Sequence, residues 1–430
     1  MEATTLMTRI AIVGSGGAGL TAALRLQEHT DVTVFEASSR VGGHIHAVPV
    51  PDASASDGVY WIDTGFIAWS PQLYPNAYAL FQTLGLSSAP SGYPVVEWDR
   101  RSGVSVPLSS FPARCGKDFA PEVGRDLRRL VIVLMKSGNR LDPVEDPITF
   151  GEWLQRERFH VDLIEHLILP AMAVVWGFQI DEILDMSAGA ATGLMRRTMF
   201  TDTGVEFRRL TPAAHAYLLA VVKSLRTPVR VGCAVDRVSL TASGVEIQTS
   251  QGIERFDRVI LAAQPFQSLK ALASPTPLQR EVLGGMTYHR SAAIVHRDTS
   301  LLPPVPAHQA AFIPTWLPET RGGRRRSCAT WNMSAYYDLP TKEPILVTIC
   351  APDDAVPGML VAAGAIQHVI HNTHVSLTPF YQRARRSLPD LEVSGRLYFA
   401  GSWLGPVGSH ECAVTSGLHA ATRVLHSLSA

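Results

Sequence analysis

The chain has 430 residues, of which 46% are hydrophobic and 18% charged, with 38 basic side chains balancing 38 acidic ones. A chain this long buries a large core and is expected to divide into two domains. Zero net charge supplies no overall field for nucleic acid or an anionic membrane, so neither is expected as a partner.

The first element is the most informative. Ile10 to Val13 reads as a short buried parallel strand. Gly14, Gly16 and Gly19 follow at GxGxxG spacing, with Gly17 and Ala18 between them. Leu20 to Glu28 reads as a helix, Val32 to Phe35 as a second strand, and Glu36 closes the unit. The first glycine makes the tight turn, the second lets a pyrophosphate approach the backbone, and the third packs helix on strand. The helix N-terminus stabilises the phosphates. Glu36 stands where a carboxylate accepts hydrogen bonds from ribose hydroxyls, with Ala37 beside it. A complete strand–loop–helix–strand–acid unit predicts dinucleotide binding and a Rossmann-type α/β fold.

Further along, Trp61-Ile-Asp-Thr64-Gly65-Phe66 forms a compact polar and aromatic segment. Leu127 to Met135 and Phe150 to Glu157 have helical patterns. Val161 to Phe178 is the nearest approach to a membrane span, but Asp162, Glu165, His166 and Pro170 interrupt it, and it reads as buried helix. Residues 207–264 read as strands and turns, with Val235 in one strand and a clear alternation over Val245 to Thr249. Ala292 to His296, Ala329 to Asn332 and Ile345 to Ile349 are strand-like. Prolines and glycines over 301–323 predict a surface excursion with several turns. The chain ends on a strand near Leu397, a Gly-rich loop holding Gly401, Ser402 and Trp403, and a helix beginning near Glu411 that contains Cys412 and Ala413. Three pieces, 8–68, 207–264 and 393–430, are expected to form the nucleotide-binding domain. Residues 69–206 and 265–392 are expected to form a discontinuous α+β substrate domain.

Arg40-Val-Gly42-Gly43-His44 resembles the Arg-x-Gly-Gly motif of FAD enzymes in the amine oxidase superfamily, which includes phytoene desaturases and protoporphyrinogen oxidases. Residues 61–66 and 397–417 also resemble that family, and the likeness is closest to a bacterial group of amine-oxidase-like proteins. The resemblance implies that Arg40, Gly42 and Gly43 lie along the FAD pyrophosphate. It further implies that Thr64, Gly65 and Phe66 pass under the flavin, and that Val235 passes the adenine. The loop from Gly401 and the helix from Glu411 would form the second FAD contact. The family often has Arg or Lys where this chain has His44. No clear attachment signature is present, so FAD is expected to be held without a covalent bond.

Candidate chemistry centres on residues 401–411. Many relatives carry an acid at the position of Trp403, which is expected to line the cavity beside the flavin. His410 is a candidate proton donor or acceptor. The monoamine oxidases have an aromatic residue where this chain has Ser409, so one wall of their aromatic cage is missing. Trp176, Trp331 and Asn332 are candidates for the substrate pocket, with Tyr336, His371 and His374 behind them. The five cysteines, at 115, 233, 328, 350 and 412, have no metal-ligand spacing. Such scattered cysteines suit free thiols in a reducing compartment, and the first apolar run is the nucleotide strand itself rather than a signal peptide. A cytoplasmic, soluble FAD-dependent oxidoreductase is expected. It would take a hydride from a C–H bond beside nitrogen or at an activated carbon of a small molecule. A double-bond isomerase or desaturase of a lipid or polyketide-like chain is the alternative enzyme, and a flavin-bound scaffold or sensor the non-catalytic one. No second GxGxxG unit follows a strand, which favours reduction by substrate over reduction by NAD(P)H. The sequence leaves the oligomeric state open.

Overall fold

The computed structural model describes residues 7–91, 95–136, 147–176, 179–199, 206–304, 310–321 and 324–429. A four-stranded parallel sheet runs in the order Leu397–Phe399, Arg258–Leu261, Arg9–Val13, Asp31–Phe35. Its strands are short and apolar because both faces are covered, as parallel sheets require. One face carries the first helix, Gly17–Leu26, and the last, His410–Ser429. They bury Ala18, Ala22, Ala23, Ala413, Ala420 and Ala421 in one cluster with Ile10, Ile12 and Ile260. Small residues let these helices approach closely: a Cβ at Gly417 would lie 2.3 Å from the Ala18 carbonyl oxygen.

The second large element is a seven-stranded sheet in which 96–99 and 104–107 sit at one edge and Ile366–Val375 at the other. Between them lie Tyr288–His296, Leu346–Cys350, Arg324–Asn332 and Phe312–Arg321. The expectation of a surface excursion over 301–323 fails here. Residues 312–321 form a ten-residue strand paired antiparallel with 324–332, and Phe312, Ile313, Trp316 and Leu317 are buried. Pro314 and Pro318 hid the strand because proline reads as a breaker.

Most of the other predicted elements are present. The helices Phe150–Glu157 and Pro121–Lys136 form, the former opened by a Thr149–Glu152 capping box. Residues 161–176 run as one helical stretch with a π-helical turn over Ile164–Ile168. Two readings of 207–264 are corrected. Residues 214–224 form a helix, and 229–232 make only an isolated bridge, Phe35 to Arg230. No helix among the described residues is long and apolar enough to cross a membrane.

Candidate active site

The phosphate loop is built as its glycines demand. Gly14 has φ +108°, and a Cβ there would lie 2.7 Å from the Ala262 carbonyl oxygen. A Cβ at Gly19 would lie 2.0 Å from the Gly14 carbonyl oxygen. At Gly16, by contrast, a Cβ would meet nothing within 4 Å, because that position faces an open cavity. Glu36 accepts from the Ser15 N–H at 2.9 Å, from its hydroxyl at 2.6 Å and from the Ser38 N–H at 2.8 Å. The Arg40 turn is fastened to the loop: the Gly42 N–H donates to the Ser15 carbonyl at 3.0 Å, and Arg40 Nη2 donates to the Gly43 carbonyl at 2.8 Å. Gly43 lies against the Gly16 backbone. Residues 233–235 run beside Glu36, with the Cys233 N–H donating to the Glu36 carbonyl at 2.8 Å.

The cavity has a volume of about 1550 Å³. Of the predicted cofactor residues, Gly14, Gly16, Gly17, Ala18, Glu36, Ala37, Gly43, His44, Thr64, Gly65, Phe66, Val235, Gly401, Ser402, Glu411, Cys412 and Ala413 line it. Gly19, Arg40 and Gly42 stand behind that lining and shape it.

The last helix begins at His410, and Ser409 caps it, its hydroxyl accepting from the Cys412 N–H at 3.3 Å. The Ala413 N–H donates to the Ser409 carbonyl at 3.1 Å. The amides of His410 and Glu411 have no acceptor among the described residues, which leaves donors at the helix N-terminus. Glu411 does not act on its own helix end. Its carboxylate accepts from the backbone N–H groups of Asn76 at 3.1 Å and Ala77 at 2.9 Å, capping the helix Pro75–Thr83. Asn76 Nδ2 adds a third bond at 2.7 Å.

His410 packs between Gly17 and an aromatic group. Its ring lies 4.4 Å from that of Phe66 and 5.5 Å from that of Tyr217, centroid to centroid. Burial, with His44 nearby, pushes its pKa down to about 3, so the ring is neutral. Its Nε2 has no hydrogen-bond partner among the described residues. Trp403 borders the cavity but is 1% exposed and packed in the core. Its indole N–H donates to the Ala263 carbonyl at 3.2 Å, and its ring sits where a Gly401 side chain would go.

On the side of the seven-stranded sheet, Trp331 lines the cavity and meets Phe312 edge-to-face at 4.6 Å. Asn332 is engaged in structure instead, its Oδ1 accepting from the Ala335 N–H at 3.1 Å. Trp176 closes a helix, and its side chain lies outside the described residues. Tyr336 packs behind Trp331 at 5.2 Å, and His371 is exposed on its strand. His374 does reach the cavity, where its Nε2 lies 3.2 Å from His44 Nε2. One ring must donate and the other accept. His44 opens onto the cavity, where desolvation by the surrounding protein, with Arg40 nearby, lowers its pKa to about 4; burial holds His374 well below its ordinary value, so the pair is neutral. Sequence reasoning missed Arg197, Tyr288 and Ser291, which also line the cavity. The strand reading began at Ala292, four residues late, because the apolar run starts there and the polar His289, Arg290 and Ser291 precede it.

The model of the family of flavin containing amine oxidoreductases matches residues 18–361. The chain belongs to this family. Its cofactor is FAD. Over 179 residues it is 28% identical to the mitochondrial protoporphyrinogen oxidase of Nicotiana tabacum, a match covering 41% of this chain and 34% of that protein. The match thus spans about a third of that relative's length. A triple mutant of putrescine oxidase superposes with a TM-score of 0.73 at 16% identity, over 98% of this chain and 99% of that one. A fatty acid isomerase from P. acnes that produces CLA gives 0.71 at 17% identity, over 97% and 98%. At such identities these structures show a shared fold. The residues present fit FAD. The open approach at Gly16, the acid at Glu36 and the orphan amides at residues 410 and 411 suit pyrophosphate, ribose and an electron-rich ring edge.

Proposed function

We propose that this flavoprotein takes a hydride from a C–H bond beside nitrogen or at an activated carbon of a small organic molecule, with oxygen or another acceptor completing the cycle. One observation carries the reading. A single cavity of about 1550 Å³ joins the phosphate loop to the face of the seven-stranded sheet at Trp331. Pockets for one ligand are typically about 300–1,000 Å³, so this space takes a cofactor and a substrate together. When bound, FAD supplies the hydride acceptor. The chain's contribution is binding and positioning: glycines and Glu36 hold the nucleotide, and apolar walls exclude water around the reacting bond. The neutral His44–His374 pair lines the cavity and can orient a polar group there.

A second reading, a double-bond isomerase or desaturase, is favoured by Ser409. That side chain is buried and bonded to Cys412, so no aromatic wall stands there. Oxygen uptake and product analysis with amines, amino acids and unsaturated fatty acids separate the two. Oxidation consumes oxygen in step with product, and isomerisation yields product without net uptake. Neither product nor uptake across the panel would contradict both readings and leave a flavin-bound scaffold.

A further inference from the structure

Arg197 is a cation of the cavity lining. It lies on the helix Ala188–Met199, one turn beyond Leu194, and lines the cavity half-buried. No hydrogen bond or ion pair engages it among the described residues. Its guanidinium donors are therefore open to a ligand that enters the cavity. The cavity that it lines also has apolar walls, Leu194, Ile67, Leu73, Val95, Leu108 and Phe207 among them.

Three carboxylates of the cavity are already engaged. Glu36 is bonded to Ser15 and Ser38, Glu411 to Asn76 and Ala77, and Glu392 to Arg423 at 2.6 Å. Asp236 follows Val235 on the nucleotide side. Arg197 therefore offers free donors to an anion entering the cavity, where Glu36, Glu392 and Glu411 are already engaged. A guanidinium pairs best with a planar carboxylate, through two parallel N–H···O bonds.

We propose that the substrate is a monocarboxylic acid with an apolar chain, its carboxylate held by Arg197 and its chain lying along the apolar walls toward the flavin end. The proposal rests on the hydride-transfer reading and narrows it: the reacting position is an activated carbon of the chain rather than a carbon beside an ammonium.

The test is calorimetric titration of the oxidised, FAD-loaded protein with submicellar oleate, oleyl alcohol and oleylamine. In the wild type, oleate should bind more tightly than the alcohol by about ten-fold or more, as for a hydrogen-bonded charged group. Arg197→Gln should abolish that difference and leave alcohol binding unchanged, whereas Arg197→Lys should keep most of it. Unchanged melting temperature and FAD content would show that the variants are folded. Equal oleate affinity in wild type and Arg197→Gln, tighter binding of oleylamine than oleate, or no saturable oleate binding would each overturn the proposal. No turnover is involved. Oleate that binds through Arg197 but is neither oxidised nor isomerised would therefore overturn the proposed reaction with this acid and leave the binding site standing.

Discussion

The three motif glycines do different work, and single substitutions separate it. Gly16 has φ −73°, and a Cβ there meets nothing within 4 Å. Gly16→Val should therefore leave the apo-protein folded while filling the space a pyrophosphate needs, weakening FAD at least about ten-fold. Fluorescence titration of apo-protein with FAD measures this, and near-wild-type affinity would contradict the assignment of the loop. His296 tests burial rather than binding. The Asp298 N–H donates to its Nδ1 at 3.1 Å, so Nε2 carries the proton and faces Thr348 Oγ1 at 2.8 Å. Burial lowers its pKa from 6.5 to about 4. The unfolded chain takes a proton below its ordinary pKa and the folded chain does not. The stability contributed by the neutral ring is thus complete above that value and lost as pH falls toward 4, by up to roughly 3 kcal/mol. His296→Gln should flatten the fall of unfolding free energy over that window, and a parallel curve would contradict it. The glycines were legible in the sequence because they follow an apolar strand at GxGxxG spacing. Arg197 and the capping roles of Glu411 and Asn332 were not, because each depends on what the chain folds against it.

The first and last helices meet at Gly417 and Ala18, and this crossing holds the phosphate loop beside the loop at 401–409. A side chain at 417 would strike the Ala18 carbonyl and lie 3.1 Å from Thr21 Cβ. Gly417→Val should push the helices apart, costing about 1–3 kcal/mol, and release FAD. Thermal melting and FAD occupancy of the purified variant report it, and wild-type values in both would show that the contact does not set the site. The last helix was legible through the resemblance of residues 397–417 to the family's second FAD-contact region. The central strand 312–321 was not, since two prolines mimic the punctuation of a surface loop. Trp403 shows a related limit: sequence places it in the active-site loop, but only packing shows that it fills the space beside Gly401 and is 1% exposed.

Across the whole molecule, two sheets share one cavity, and three separated chain segments supply the strands of the nucleotide-binding sheet. Each of those strands was legible as a short apolar run. The breadth of the second sheet was not, because antiparallel partners far apart in sequence leave no local mark. The cavity that joins the phosphate loop to the second sheet leads us to expect that electrons come from a substrate held there. Anaerobic stopped-flow mixing of the oxidised protein tests this most directly, with amines, amino acids and unsaturated fatty acids on one side and NADH and NADPH on the other. At least one substrate of the panel should bleach the flavin rapidly and saturably while both nicotinamides react slowly or not at all. Rapid, saturable bleaching by NADH or NADPH, with none from the panel, would contradict the account.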